Sequence, residues 1–175
     1  VMRIRSHSGK GEPLFLNPGG PGLLPSTLAF DLVKEADFAP VRAAYDLYAV
    51  DPRGVGASSP VDCLSASTLP ALRLAECVEK NELTHYMGTS QVARDMELVR
   101  SLSGAERLNY LGYSYGTVLG ATYATLFPGQ TGRMVLDSAL AADRASLTSA
   151  CDQQVALATE IDSMLASCTA PECPR

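Results

Sequence analysis

The stretch Leu108–Gly129, LNYLGYSYGTVLGATYATLFPG, runs through three kinds of sequence in quick succession. Leu108 to Leu111 is a short apolar run of strand character. Gly112, Tyr113, Ser114, Tyr115 and Gly116 then set one serine between two glycines. Tyr115 to about Phe127 reads as a helix, which Pro128 helps to stop. A chain that passes from strand to helix through so few residues has a strained backbone at the turn, and flanking glycines avoid side-chain clashes there. The turn lifts the serine hydroxyl to a sheet edge and points a helix N-terminus at any negative charge developing beside it. Gly116, Gly120, Ala121 and Ala124 keep one face of that helix small, which allows close packing on a sheet.

The same alternation extends in both directions. VMRIR opens the chain with strand periodicity, and PLFLN is an apolar run that enters the glycine loop Asn17–Gly22, NPGGPG. Residues from about Ser26 to Val41 are expected to be helical. Tyr45–Val50 reads as a strand entering the Gly/Pro/Ser loop Asp51–Pro60. The segment 61–88 reads as irregular. In SQVARDMELVRSLSG, Val92, Met96, Val99 and Leu102 share a helical face, and Gly104 sits where the helix should end. RMVLDS is a further strand, and Leu147–Ala166 is helical in character. Strands alternating with helices imply an α/β fold, a mostly parallel sheet with helices on both faces. Loops after parallel strands open onto one edge, so all three glycine-bearing loops should meet there.

Composition narrows the function. With 46% hydrophobic and 19% charged residues among 175, the chain is globular, and a net charge of −5 without a basic run argues against nucleic acid or an anionic membrane surface as partner. No apolar run approaches the roughly 20 residues that span a bilayer, and the first residues lack the apolar core of a signal peptide. Five cysteines, Cys63, Cys77, Cys151, Cys168 and Cys173, show no zinc-binding spacing. They leave buried thiols and one or two disulfides of an exported protein as alternatives, with export, secreted or periplasmic, the favoured reading.

An acyl-transfer site needs a nucleophile and backbone N–H donors aimed at the tetrahedral oxyanion. Ser114 supplies the first, the N–H of Tyr115 is one donor, and the bare backbone of NPGGPG can approach closely enough to give another. That loop lacks the G-x-G-x-x-G register and the phosphate-loop lysine, so it is not read as a nucleotide site. Asp51 and Arg53 are expected to pair with each other and brace the neighbouring loops.

Taken together, LFLNPGGPG, YAVDPRGVGASSP, LNYLGYSYGTVLGATYATLFPG and RMVLDSAL resemble α/β-hydrolases in order and spacing. More narrowly they resemble the proline iminopeptidase and tripeptidyl aminopeptidase branch of serine peptidases, from about Leu14 to Leu140. The resemblance implies Ser114 as nucleophile and Tyr115 with Gly20 as oxyanion donors, with no metal or cofactor. Its substrate would be a peptide or a small acyl compound. Proline iminopeptidases read H-G-G-P-G where this chain has Pro18 in the histidine's place, which favours the tripeptidyl side. Relatives there carry cysteines near Cys63 and Cys77, in keeping with a disulfide. On this reading residues 1–140 are part of a hydrolase core and 141–175 begin a helical cap, where Glu160 and Asp162 are candidates to hold a substrate amine. An esterase or lactonase of the same fold is the alternative, and a non-catalytic domain without a complete triad is another.

A serine needs a histidine base and a carboxylate behind it, which in this fold follow the serine in chain order. Both histidines, His7 and His85, precede Ser114; they are read as surface residues. Asp137, at the end of RMVLD, is a candidate acid, although in the resembled branch the acid comes from a later strand. Acid and base are therefore expected beyond Arg175.

Overall fold

Three strands of near-continuous apolar sequence form the centre of a five-stranded sheet in the computed structural model, which describes residues 1–63, 68–141 and 146–168. They are β2 (Glu12–Asn17), β3 (Tyr45–Ala49) and β4 (Leu108–Tyr113). β1 (Met2–Ile4) and β5 (Thr131–Asp137) are the edges of the order β1-β3-β2-β4-β5. β2 runs parallel to both β3 and β4, β4 runs parallel to β5, and only β1 pairs antiparallel, on β3. Strands buried on both faces read as near-continuous apolar runs, and these do, with Asp46 and Asn109 as buried polar residues inside them.

Alternation along the strands separates two cores. Phe15, Tyr48, Leu108 and Tyr110 point to one face, where they pack with Val92, Ala93 and Met96 of α4 (Thr89–Ser103) and Leu119 and Tyr123 of α5 (Tyr115–Leu126). Leu14, Leu16, Leu47, Ala49 and Leu111 point to the other, where Ala29 of α1 (Pro25–Lys34) joins them. The expected sheet with helices on both faces is present. Asp46, in β3, is buried at the far end of the sheet from the glycine loops, and takes hydrogen bonds from Arg3 Nε (2.9 Å) and the Ser6 N–H (2.8 Å). Burial opposes its charge, but these donors prevail and hold the carboxyl below its ordinary pKa.

Three expectations are corrected. The single helix over residues 26–41 is two: α1 ends at Lys34, Glu35 is extended, and after a 3₁₀ turn at Ala36–Phe38 the chain restarts as α2 (Ala39–Ala44). Pro40 explains the restart, since it has no N–H to continue a helix but suits a first turn. The segment read as irregular contains α3 (Pro70–Lys80) and a 3₁₀ turn at Glu82–Tyr86. Ala71, Leu74, Ala75 and Val78 recur at helical spacing in α3, but the mixed polarity around them masked it, and Cys77 is the residue the helix buries. Leu102 does not share the buried face of α4: it is 78% exposed in the last turn, just before Gly104 caps the helix in the left-handed conformation.

A disulfide joins Cys63 to Cys77, closing the excursion after β3. Cys168 is also disulfide-bonded, the thiol of Cys151 is free and exposed, and Cys173 lies outside the described residues. The chain divides into two compact units, Val1–Leu140 and Ala141–Arg175, the second built around α6 (Ser146–Ser167).

Candidate active site

Ser114 stands alone between β4 and α5 with φ 51° and ψ −121°, a conformation that L-residues rarely adopt. Neighbouring groups hold it there. Its N–H donates to the Asp137 carbonyl at the end of β5 (3.0 Å), and its own carbonyl accepts from the Thr117 N–H (2.9 Å) and hydroxyl (2.7 Å). The Thr117 hydroxyl in turn accepts from the Leu140 N–H (3.1 Å), so one buried side chain ties the serine turn to the segment after β5. The glycines are required by contact. A Cβ on Gly112 would fall 2.5 Å from the Tyr110 ring and 2.7 Å from the Gly116 carbonyl. Tyr110 supports the turn from beneath, donating its hydroxyl to that carbonyl (2.8 Å). Burial drives the Tyr110 pKa far up, so it remains a neutral donor.

The glycine loop after β2 closes on the serine. Gly19 has φ 102°, and a Cβ there would meet the Tyr113 carbonyl at 2.7 Å and Ser114 Cβ at 3.0 Å. Asn17 shapes the approach: its Oδ1 accepts the Gly19 N–H (2.9 Å), and its carbonyl and side chain lie where a Cβ on Gly116 would go. With the Gly19 N–H occupied, the loop's next N–H is that of Gly20, which no acceptor takes among the described residues. At the start of α5 the Tyr115 N–H is one of the donors a helix leaves unpaired. The Tyr115 hydroxyl is tied to Thr89 Oγ1 (2.9 Å) at the start of α4. The arrangement presents a hydroxyl on a rigid turn with backbone N–H groups of two elements close by.

Comparison with known proteins identifies the family of the fold. Residues 12–160 match the family model described as alpha/beta hydrolase fold. The chain belongs to that family. A tripeptidyl aminopeptidase of Streptomyces coelicolor is 41% identical over 151 residues, 71% of this chain and 28% of that protein. The serine protease Hip1 of Mycobacterium tuberculosis is 33% identical over 166 residues, 80% of this chain and 32% of that protein. A carboxylesterase B, also of Mycobacterium tuberculosis, is 30% identical over 200 residues, 99% of this chain and 38% of that protein. Among solved structures, a marine microorganism esterase superposes with a TM-score of 0.57 at 15% identity, covering 99% of this chain and 52% of that one. The chain thus spans about a third of the length of the curated relatives it matches.

Within this α/β-hydrolase-fold chain the three sequence-defined loops do share an edge, since β2, β3 and β4 are parallel and Gly19 abuts Ser114. The predicted Asp51–Arg53 pair is not formed. Arg53 Nε and Nη2 bind the two carboxylate oxygens of Asp95 on α4, and Asp51 accepts from the N–H groups of Ser26 (3.4 Å) and Ala57 (3.2 Å). Asp51 therefore ties the start of α1 to its own loop through backbone donors, and Arg53 braces α4. His7 follows β1, which runs against β3, so it lies at the opposite end of the sheet, beside Arg42 (2.7 Å). His85 is exposed on the 3₁₀ turn. Asp137 gives its carbonyl to Ser114, while its exposed carboxylate accepts from the Ser138 hydroxyl (3.2 Å). Sequence reading missed Asn17, Thr89 and Thr117 as supports. Their contacts are with residues distant in sequence or with the turn itself, and only the placement of Asn17 directly before a glycine loop hinted at a role. Among the described residues no group of three His, Cys, Asp or Glu side chains is placed to hold a metal ion, and no helix is long and apolar enough to cross a membrane.

Proposed function

We propose that the protein is a serine hydrolase that acts as a peptidase, releasing short pieces from peptide N-termini through an acyl-enzyme on Ser114. The observation that carries this reading is the positive-φ serine of a G-x-S-x-G turn with a glycine loop closed against it. Ser114 Oγ attacks the scissile carbonyl, and the carbonyl oxygen, now negative, is held by the N–H groups of Tyr115 and Gly20. The amine departs with a proton, and water then releases the acyl group. Neither His7 nor His85 follows the serine, as the base of this fold does, so neither is assigned as the base. The names of the relatives support the peptidase direction: a tripeptidyl aminopeptidase and a serine protease are more similar in sequence than the carboxylesterase. Export from the cytoplasm fits the Cys63–Cys77 disulfide.

The test compares tripeptidyl amides with free and with blocked N-termini, beside short acyl esters, on the full-length protein. Free tripeptidyl amides should be cleaved best, and Ser114→Ala should lower their turnover by about 10³-fold or more. Turnover of esters alone would assign the carboxylesterase-like activity instead.

A further inference from the structure

Beside Tyr115 the structure contains a cavity of about 270 Å³ between the glycine loop, the loop after β3 and the start of α4. Its walls include Pro21, Pro52, Val55, Met87, Val92 and Tyr115. Met87 is held in place by a bare backbone: a Cβ on Gly54 would fall 2.4 Å from its terminal methyl. The one charged residue in the lining, Arg53, already has its counter-charge in Asp95, and three of its five N–H groups are engaged. Its Nε and Nη2 are taken by Asp95 and its Nη1 by the Tyr86 carbonyl (3.3 Å). A charged side chain placed here would lose its water without meeting an unmatched opposite charge.

Size and position narrow the occupant further. Sites for whole small molecules run to roughly 300–1,000 Å³, so this cavity suits a single side chain. It lies beside the acyl-transfer site, because Tyr115 lines it and also carries an oxyanion N–H, and Pro21 follows Gly20 in the same loop. The occupant therefore belongs to the molecule whose carbonyl sits at Ser114. We propose that this cavity is a specificity pocket for an uncharged apolar side chain on one of the two residues flanking the cleaved peptide bond. The proposal rests on the peptidase reading above.

The experiment uses the full-length protein and a peptide library varied at the two flanking positions. Labelling of the wild type by a small fluorophosphonate is run first, to report on the serine itself. At one flanking position Leu, Met or Val should be preferred over Asp and Lys by about tenfold or more. Val55→Phe, which narrows the pocket, should lower kcat/KM for Leu relative to Ala by about tenfold. Met87→Ala, which widens it, should raise Phe relative to Leu. The two positions lie on separate segments, so a folding defect in one variant leaves the other to be read. Wild-type ratios in a folded variant, with Ser114 still labelled, would overturn the pocket alone. Failure to label Ser114 would overturn the serine reading and the pocket with it.

Discussion

Ser114 is held where its backbone conformation is costly, and that cost should be measurable. A residue fixed at such dihedrals stores about 1–3 kcal/mol. Ser114→Gly relieves it against an entropic penalty of roughly 0.5–1 kcal/mol, so the variant should be more stable by about 1 kcal/mol in denaturant unfolding while losing activity. A destabilised glycine variant would show that the turn is not strained. The serine and its glycines were legible because a tight strand-to-helix turn admits few residue types, and the type at each position reports local backbone geometry. Asn17 was not legible in the same way. Its side chain folds back on Gly19 and its carbonyl meets Gly116, and this second contact exists only once β2 lies beside β4.

Strands and the helices that cover them followed from patterning, and the exceptions have physical reasons. β2, β3 and β4 are buried on both faces and so carry near-continuous apolar sequence, whereas α3 rests on one buried cysteine and a covalent bond. The helical spacing of Ala71, Leu74, Ala75 and Val78 was present in α3, but it is short and set in a segment of mixed polarity. The Cys63–Cys77 link, across a separation of 14 residues, should stabilise the excursion by about 3 kcal/mol. Replacing both cysteines by alanine should speed amide exchange through Pro70–Lys80 and leave β2–β4 protected. Unchanged exchange in α3 would show that side-chain packing alone retains it. The break between α1 and α2 teaches a related lesson, since Pro40 was visible but its apolar neighbours continued the helical spacing.

Across the sheet, two ion-paired carboxylates tie the stability of the molecule to pH. The guanidinium of Arg100 holds Glu97 below its ordinary pKa against the opposing effect of burial, with the Tyr123 hydroxyl assisting. Ser6 and Arg3 do the same for Asp46. Each carboxylate binds a proton less readily folded than unfolded, so its stabilisation is fully present above the unfolded value of about 4 and is lost as pH falls through the lower folded value. Glu97→Gln should flatten that acid limb in a series of unfolding curves, and an unaltered limb would remove Glu97 from this role. The α/β class and the shared loop edge were legible in the sequence as a whole, because strand and helix alternate and parallel strands end together. Which charges pair was not legible, as shown by Arg53 choosing Asp95 over Asp51. The proposed function requires Ser114 to act as a nucleophile in the full-length protein. Peptide mass spectrometry after fluorophosphonate treatment should find the adduct on Ser114 in the wild type and nowhere in Ser114→Ala. A wild type without adduct, or an adduct that survives the substitution, would contradict it.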